Sequence, residues 1–166
     1  TANIKMKLSI LYAYRNREEE RIKNSLESLA KQTQKDFEVI FVDYGSDDAF
    51  ANAIQKVVES FFFASYHYIA HPGLLWNKSK ALNYAASRAT GEFVFVADVD
   101  ICFDIHAISK IICLAENNSF LLFKLSYLKQ EITQQQISKG QFNANQIKHH
   151  GNVNGMILVS RENFLE

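Results

Sequence analysis

The chain has 166 residues, of which 48% are hydrophobic and 13% aromatic, so it suits one folded domain and is not a disordered chain. Eighteen basic and eighteen acidic residues cancel, which excludes nucleic-acid binding driven by a global positive field. Cys102 and Cys113 are the only cysteines. They lack a metal-type spacing and are too few for a disulfide framework, so we expect a reducing compartment.

No apolar stretch approaches the roughly 20 residues of a membrane helix, and Thr1-Ala2-Asn3 does not open a signal peptide. We therefore expect a cytoplasmic location, with peripheral attachment to the inner membrane as a further option for the full-length protein. The chain ends soon after a predicted strand over 153–159 and a capping pattern at 160–164 that predicts a new helix. We expect residues 1–166 to be a single domain that is truncated at its C-terminus.

Apolar residues at helical spacing alternate along the chain with short apolar runs that are typical of buried strands. In chain order, the pattern predicts strands over 8–14, 37–42, 66–70, 93–97 and 120–126, and helices over 18–31, 49–61, 78–89 and 105–116. His71-Pro72-Gly73 predicts a turn before the third helix. This alternation predicts an α/β fold with a mostly parallel sheet and helices on both of its faces.

The stretch 129–146 is polar, rich in Gln and without clear periodicity. It is open to two interpretations: a mobile loop or short helix that covers a cleft, or a solvated surface insertion.

Asp98-Val99-Asp100 directly follows the apolar strand over 93–97. Ligands of open α/β sheets bind beyond the carboxyl ends of the strands, so both carboxylates can enter one cleft. Paired carboxylates suit Mg²⁺ or Mn²⁺, which such sites usually share with phosphate oxygens. The alternative is that both aspartates only cap the segment that begins at Asp104.

Three further polar clusters follow predicted strands or the turn after one, so parallel packing would bring all four clusters to one edge of the sheet. They are Tyr14-Arg15-Asn16-Arg17, Asp43-Tyr44-Gly45-Ser46-Asp47 and Trp76-Asn77-Lys78-Ser79-Lys80. Asp43 can accept hydrogen bonds from a base or ribose, or belong to an ordinary helix cap.

The basic side chains of these clusters, those of Arg15, Arg17, Lys78 and Lys80, can neutralise a diphosphate or lie in solvent. Trp76 can form the floor of a sugar or base site, or anchor its loop. His149 and His150 can supply a metal ligand or a donor contact, or be an exposed pair in a polar loop.

The motifs, in order and spacing, resemble the family 2 glycosyltransferases, which have the Rossmann-like GT-A fold. The similarity covers essentially the whole chain and lies in seven blocks. These blocks are 9–17, similar to the "P-x-R-N-R" opening of chondroitin-polymerase-like members; 24–33, "xSLxxQT"; 37–48, "xEVIVVDDGSxD"; 80–85, "KALNxG"; 89–93, "ATGEY"; 98–100, the D-x-D; and 155–164, "GxxxxxRxxF".

The resemblance implies inverting transfer of a sugar from a nucleotide-diphosphate donor, commonly a UDP-sugar, to a saccharide acceptor. It places the nucleobase of the donor at Asp43, with Tyr14 and Arg15 in the same pocket, and Lys80 near the ribose or phosphates. Asp98 would face the ribose, and Asp100 would ligate the metal.

Two residues depart from the family pattern: Ala13 replaces a proline, and Tyr44 replaces the second Asp of "VDDGS". Which carboxylate contacts the nucleobase of the donor is therefore open. The family's general base, in a "G-[FWY]-D-E/D" segment, and a frequent His metal ligand are expected beyond Glu166, so we expect this chain to be weakly active or inactive alone.

Three other functions are alternatives to sugar transfer. A nucleotidyltransferase would show a basic, Gly-rich first loop, whereas only Arg15 and Arg17 are basic here. A non-catalytic nucleotide-sugar-binding domain would share every block but lack the base. A receiver-like signalling domain would give the D-x-D and "KALN" blocks no role.

Overall fold

The computed structural model describes residues 7–70, 75–115, 120–129, 131, 132, 137, 139–151 and 156–165. The strands are β1 (Leu8–Tyr14), β2 (Phe37–Tyr44), β3 (Ala64–Ile69), β4 (Phe93–Val96), β5 (Phe120–Leu122), β6 (Leu125–Leu128), β7 (Ile147–Gly151) and β8 (Ile157–Ser160). The helices are α1 (Glu19–Ala30), α2 (Asp48–Glu59), α3 (Lys78–Arg88), α4 (Ala107–Ala115) and α5 (Arg161–Leu165), and Ala144–Gln146 forms a 3₁₀ turn.

Six strands form the central sheet in the order β3-β2-β1-β4-β8-β5. The pairings of β3 with β2, β2 with β1 and β1 with β4 are parallel, whereas β8 runs antiparallel to β4 and β5. The predicted mostly parallel α/β sheet is confirmed. The chain moves outward from β1 to β3 and then returns to β4 on the other side of β1, so the strand order switches between β1 and β4.

Helices cover both faces of this sheet. On one face, Ile22 of α1, Ile54 of α2 and Ile108 of α4 pack in one core with Tyr12 and Phe41. On the other face α3 contributes only alanines to the buried core, which allows this helix to lie close to the sheet. Nearly all central-strand residues are buried, as expected for a sheet that is covered on both faces.

Buried Gln32 explains why the "QT" block has those residues. Its Nε2 donates to the carbonyl of Asp104 at 2.7 Å, and its Oε1 accepts from the backbone N–H of Ile108 at 2.9 Å. The Thr33 N–H donates to the Ile105 carbonyl. These bonds join the end of α1 to the start of α4, so this block has a structural role here.

A second network of hydrogen bonds surrounds Gly91 of the "ATGEY" block. Glu38 Oε1 accepts from Ser9 Oγ and from the backbone N–H and hydroxyl of Thr90. The Gly91 N–H in turn donates to Ser9 Oγ at 2.9 Å. This network fixes the start of β4 against β1 and β2.

We expect Gly91→Ala to lower the free energy of unfolding by about 1–3 kcal/mol, because added bulk in a packed site must displace its neighbours. A Cβ at residue 91 would lie 2.7 Å from the Ser9 nitrogen and 2.8 Å from the Leu8 carbonyl carbon, which are backbone atoms. Urea unfolding measures the change. Ser87→Ala, at an exposed position of α3, is the control and should stay within about 0.5 kcal/mol of wild type; an equally stable Gly91→Ala would contradict this account.

Two sequence predictions about the second half of the chain were wrong. The strand predicted over 120–126 is two strands, since β5 joins the central sheet and β6 pairs with β7 in a separate two-stranded sheet. His149 and His150 lie in β7 and not in a loop. Hydrophobic pattern alone does not identify the partner of a short strand.

Other predictions lie at the edge of what the structure describes. The predicted turn at 71–73 and the first part of the strand predicted over 153–159 lie outside the described residues. The predicted capping of the last helix is present, because the Asn163 N–H donates to Ser160 Oγ at 3.3 Å.

Candidate functional site

A cavity of about 480 Å³ opens where the strand order switches, beyond the carboxyl ends of β1 and β4. The loops after these two strands and the start of α3 supply its walls. The lining residues are Ala13, Arg15, Asn16, Arg17, Trp76, Lys78, Asp98, Val99 and Asp100. The structure thus brings three of the four predicted polar clusters together at one place.

Asp98 and Asp100 line this cavity with side chains that are 38% and 29% exposed. Asp98 Oδ1 accepts a bond from Lys78 Nζ at 2.6 Å. Asp100 Oδ2 lies 3.9 Å from Arg21 Nη1, on the first turn of α1. The two carboxylates are therefore reachable from the cavity, and each lies beside a cation.

A divalent cation fits these two carboxylates only with further oxygen ligands. In the part of the chain that the structure describes, no three His, Cys, Asp or Glu side chains are grouped closely enough to hold a metal. Mg²⁺ and Mn²⁺ sites commonly use one or two carboxylates and complete the shell with phosphate oxygens and water. The two carboxylates therefore suit a metal that is shared with a bound phosphate.

The two lysines of α3 differ in position. Lys78, the first residue of the helix, lines the cavity, whereas Lys80 is exposed and does not. Residues two apart in a helix are about 200° apart around its axis, so they cannot face the same side. Asn77 caps this helix, since its Oδ1 accepts from the Lys80 N–H at 3.0 Å, and so fixes Lys78 as its first residue.

Of the residues predicted to contact the nucleobase, Tyr14 and Asp43 do not line the cavity. Tyr14 is buried on the opposite face of β1 from Ala13, as strand alternation requires, and its hydroxyl donates to the Arg17 carbonyl. Burial raises the pKa of Tyr14 to about 12. Asp43 is wholly buried, with Oδ1 accepting from the Ser46 N–H and Oδ2 from the Tyr66 hydroxyl. The geometry therefore does not favour contact of either side chain with a ligand in this cavity.

Trp76 and Tyr44 form an aromatic wall. Trp76 lines the cavity and is 43% exposed, and its ring meets buried Tyr44 edge-on, with centroids 6.0 Å apart. Tyr44, at the place of the second Asp in the family pattern, thus supports Trp76 from behind. An exposed indole held in this way presents a face on which a ring can stack.

His149 and His150 do not line the cavity. The His149 ring stacks on Tyr127 with centroids 4.5 Å apart, and His150 Nδ1 lies 2.8 Å from Ser126 Oγ. Their partners are the facing residues of β6, so the structure offers no support for a metal-ligating role at this cavity.

Sequence reasoning missed Arg21, and it did not single out Asn16, Ser46 or Asp47 as a unit. Arg21 lies four residues beyond Arg17, inside α1, and its place near Asp100 depends on how α1 crosses the sheet edge. The hydrogen bonds between Asn16 and 46–47 join residues about thirty positions apart, which no local sequence pattern shows.

A family model described as "Glycosyl transferase family 2" matches residues 9–164. The chain belongs to glycosyl transferase family 2. The sheet order and the cavity at its switch point agree with the GT-A fold that the sequence blocks predict. No curated protein matches this family 2 chain.

Among solved structures, this family 2 chain is similar to S. aureus TarS. TarS 1-349 has 26% sequence identity and a TM-score of 0.62, over 78% of this chain and 39% of that chain. TarS 1-349 in complex with UDP gives a TM-score of 0.59 at 26% identity, over 77% of this chain and 38% of that one. TarS 1-349 in complex with UDP-GlcNAc gives 0.61 at 26% identity, over 77% and 37%. The chain thus spans well under half of TarS 1-349.

The structure also bears on membrane insertion. Within the described ranges, which omit short stretches such as 71–74 and 116–119, none of the helices combines the length and the apolar character needed to cross a bilayer.

Proposed function

We propose that this chain is the donor-binding part of an inverting glycosyltransferase that moves a sugar from a UDP-sugar to a saccharide acceptor. The observation that carries the proposal is the cavity at the switch point, where Asp98 and Asp100 lie with Arg15, Arg17 and Lys78. Family membership and the similarity to TarS in complex with UDP and UDP-GlcNAc support it. We further propose that the product is a polysaccharide or glycan.

The cations of the cavity suit a diphosphate. A diphosphate is strongly anionic, and guanidinium and ammonium groups bind its oxygens with charge-assisted hydrogen bonds. Lys78 forms a bond of 2.6 Å with Asp98, so its ammonium group lies within reach of a ligand held by that carboxylate. Arg15 and Arg17, from the loop after β1, line the same cavity and would contact the same phosphates.

Asp98 and Asp100 would hold Mn²⁺ or Mg²⁺ at this place. Such a metal supplies positive charge that stabilises a diphosphate leaving group and orients it. The aspartates themselves present two partly exposed carboxylates after β4, and they would accept hydrogen bonds from the ribose side of the donor. The charges of Lys78 and Arg21 keep these carboxylates compensated before a ligand arrives.

Trp76 is the residue we assign to the base or sugar of the donor. Its indole is partly exposed in the cavity wall and is held by Tyr44. We assign Asp43 to the support of the neighbouring loop, because its two oxygens already accept bonds from Ser46 and Tyr66. No general base is assigned among the residues of this chain.

For the transferred sugar, we propose a hexosyl or N-acetylhexosaminyl unit. The Arg15-Asn16-Arg17 sequence resembles the opening of chondroitin-polymerase-like members, and TarS in complex with UDP-GlcNAc has the same fold. Both supports are analogies, and the function of the site rests on the cavity itself.

Calorimetric titration of UDP into the chain in the presence of Mn²⁺ tests the proposed function. A matched pair of lysine variants tests which lysine contacts the phosphates. We expect Lys78→Ala to weaken UDP binding about tenfold, because a charge-assisted bond to phosphate is lost. Lys80→Ala removes the same charge two residues away, outside the cavity, and should leave the affinity within about twofold of wild type.

The opposite pattern, with loss in Lys80→Ala and none in Lys78→Ala, would contradict the assignment and restore the role that the family resemblance gives to Lys80. A wild-type chain that binds neither UDP nor another nucleoside diphosphate, such as GDP or dTDP, would contradict the proposed function itself.

A further inference from the structure

Asn16 has an uncommon backbone conformation at the wall of the cavity. It lies between Arg15 and Arg17, and its φ of 47° is in the left-handed region. Few residues with a side chain adopt this region, although asparagine tolerates it better than most. Such a conformation persists where the surrounding structure determines it strongly, and it often marks a functional segment.

Three hydrogen bonds hold Asn16 to the loop between β2 and α2. Its Oδ1 accepts from the Asp47 N–H at 2.8 Å, its Nδ2 donates to Asp47 Oδ2 at 3.0 Å, and its N–H donates to Ser46 Oγ at 2.9 Å. We call these three bonds the Asn16 clamp. The clamp joins the loop that carries Arg15 and Arg17 to a different part of the chain.

The far side of the Asn16 clamp is anchored in the sheet. The Ser46 N–H donates to buried Asp43 at 3.0 Å, and the Tyr66 hydroxyl of β3 donates to the other oxygen of Asp43 at 2.9 Å. The Tyr68 hydroxyl donates to the Ser46 carbonyl at 3.1 Å. The position of Asn16 is therefore set by β2 and β3 through a continuous chain of hydrogen bonds.

Asp47 shows that the clamp takes precedence over local helix stability. It occupies the N-cap position of α2, where an aspartate normally accepts a bond from the first turn of the helix, yet its side chain makes no such bond. Its carboxylate accepts from Asn16 instead. A residue that departs from its local preference in this way is typical of functional sites.

We propose that Asn16 is a positioning residue for donor binding, and that the Asn16 clamp holds Arg15 and Arg17 against the phosphates. Both arginines line the cavity, and the left-handed turn between them is the local geometry that the clamp maintains. This inference rests on the proposed function, since the ligand it positions for is the nucleoside diphosphate.

The first test uses Asp47→Ala, because it breaks the side-chain bond without changing the residues beside the arginines. We expect UDP affinity in the presence of Mn²⁺ to fall about tenfold and trypsin to cleave faster after Arg15 and Arg17. Asp48→Ala is the matched control: it removes the same charge from the neighbouring exposed residue, which takes no part in the clamp.

The second test exchanges donor and acceptor. Asn16→Asp places a carboxylate against that of Asp47 and should weaken UDP binding, whereas the double variant Asn16→Asp/Asp47→Asn lets residue 47 donate to residue 16. We expect the double variant to recover most of the wild-type affinity with no change in net charge. A merely structural role would change the thermal midpoint of unfolding without this pattern of loss and recovery in UDP affinity.

The outcomes separate this inference from the proposed function. If wild type binds UDP and Asp47→Ala binds it equally well, the positioning role is overturned and the proposed function stands. Faster cleavage with unchanged affinity, or unchanged cleavage, would overturn it as well. If wild type binds no nucleoside diphosphate, both fail together, whatever the trypsin result.

Discussion

Replacing Asp100 by alanine is expected to lower Mn²⁺-dependent UDP affinity about 100-fold, which is the upper end of the range for losing a residue that only orients a metal ligand, because Asp100 is itself proposed as a ligand. Asp100 lines the cavity beside Asp98, and these two carboxylates are the metal ligands that we propose among the described residues. Calorimetry with UDP at fixed Mn²⁺, repeated without the metal, measures the loss. Binding that is unchanged in Asp100→Ala would remove this residue from the metal site.

Arg21→Ala distinguishes a metal-binding role of Asp100 from a purely structural one. The Arg21 guanidinium lies 3.9 Å from the Asp100 carboxylate, so removing either side chain breaks the same ion pair. If Asp100 only anchors α1 through Arg21, both variants should lose UDP affinity alike. If Asp100 binds the metal, Arg21→Ala should keep or slightly raise Mn²⁺ affinity, because a competing cation near the carboxylate is gone.

Alkaline pH is expected to unfold the protein cooperatively, because three tyrosines hold their protons in the folded state. Burial raises the pKa of Tyr12 and Tyr66 and brings that of Tyr14 to about 12; for Tyr66 the bond to Asp43 adds to the effect. In the unfolded chain these phenols lose their protons near pH 10. Above that pH the unfolded state binds fewer protons than the folded state, so the free energy of unfolding falls as the pH rises.

For each tyrosine the slope is expected to rise from about pH 10 toward an upper limit of about 1.4 kcal/mol per pH unit, and the share of Tyr14 falls again near pH 12, where it loses its proton in the folded state as well. Urea unfolding followed by far-UV circular dichroism, from about pH 8 to about pH 11, measures it. Tyr14→Phe should lower the slope by one tyrosine's share. Tyr127→Phe removes a phenol that is 47% exposed and is the control; a free energy of unfolding that is level across this range would contradict the account.

Much of the fold could be predicted because periodicity is a local property. Apolar runs and helical spacing located the four βα units, and the structure changes their ends by only a few residues. The pairing of β8 between β4 and β5, and the separation of β6 from β5, were not predicted. A short strand can pair with several neighbours, and the three-dimensional packing of the whole chain selects one of them.

The place of the cavity was also predictable, since carboxyl ends of parallel strands meet at one edge of a sheet. Arg15, Arg17, Asp98 and Asp100 lie together there as expected. Their functional roles remain predictions for the experiments above. Tyr14, Asp43 and Lys80 were predicted to join them and lie elsewhere, because a motif gives spacing along the chain and not the direction of each side chain.

The sequence by itself determined the order of strands and helices from β1 to α4, the family, and the place of the paired carboxylates after β4. Only the tertiary structure decided that Lys78 and not Lys80 turns to the cavity, that Asp43 supports a loop from inside the protein, and that Asp47 holds Asn16. The physical reason is geometric. Neighbouring residues of a strand point their side chains to opposite faces of the sheet, and residues two apart in a helix point to nearly opposite sides of it. Hydrogen bonds between distant loops form only after the strands have paired.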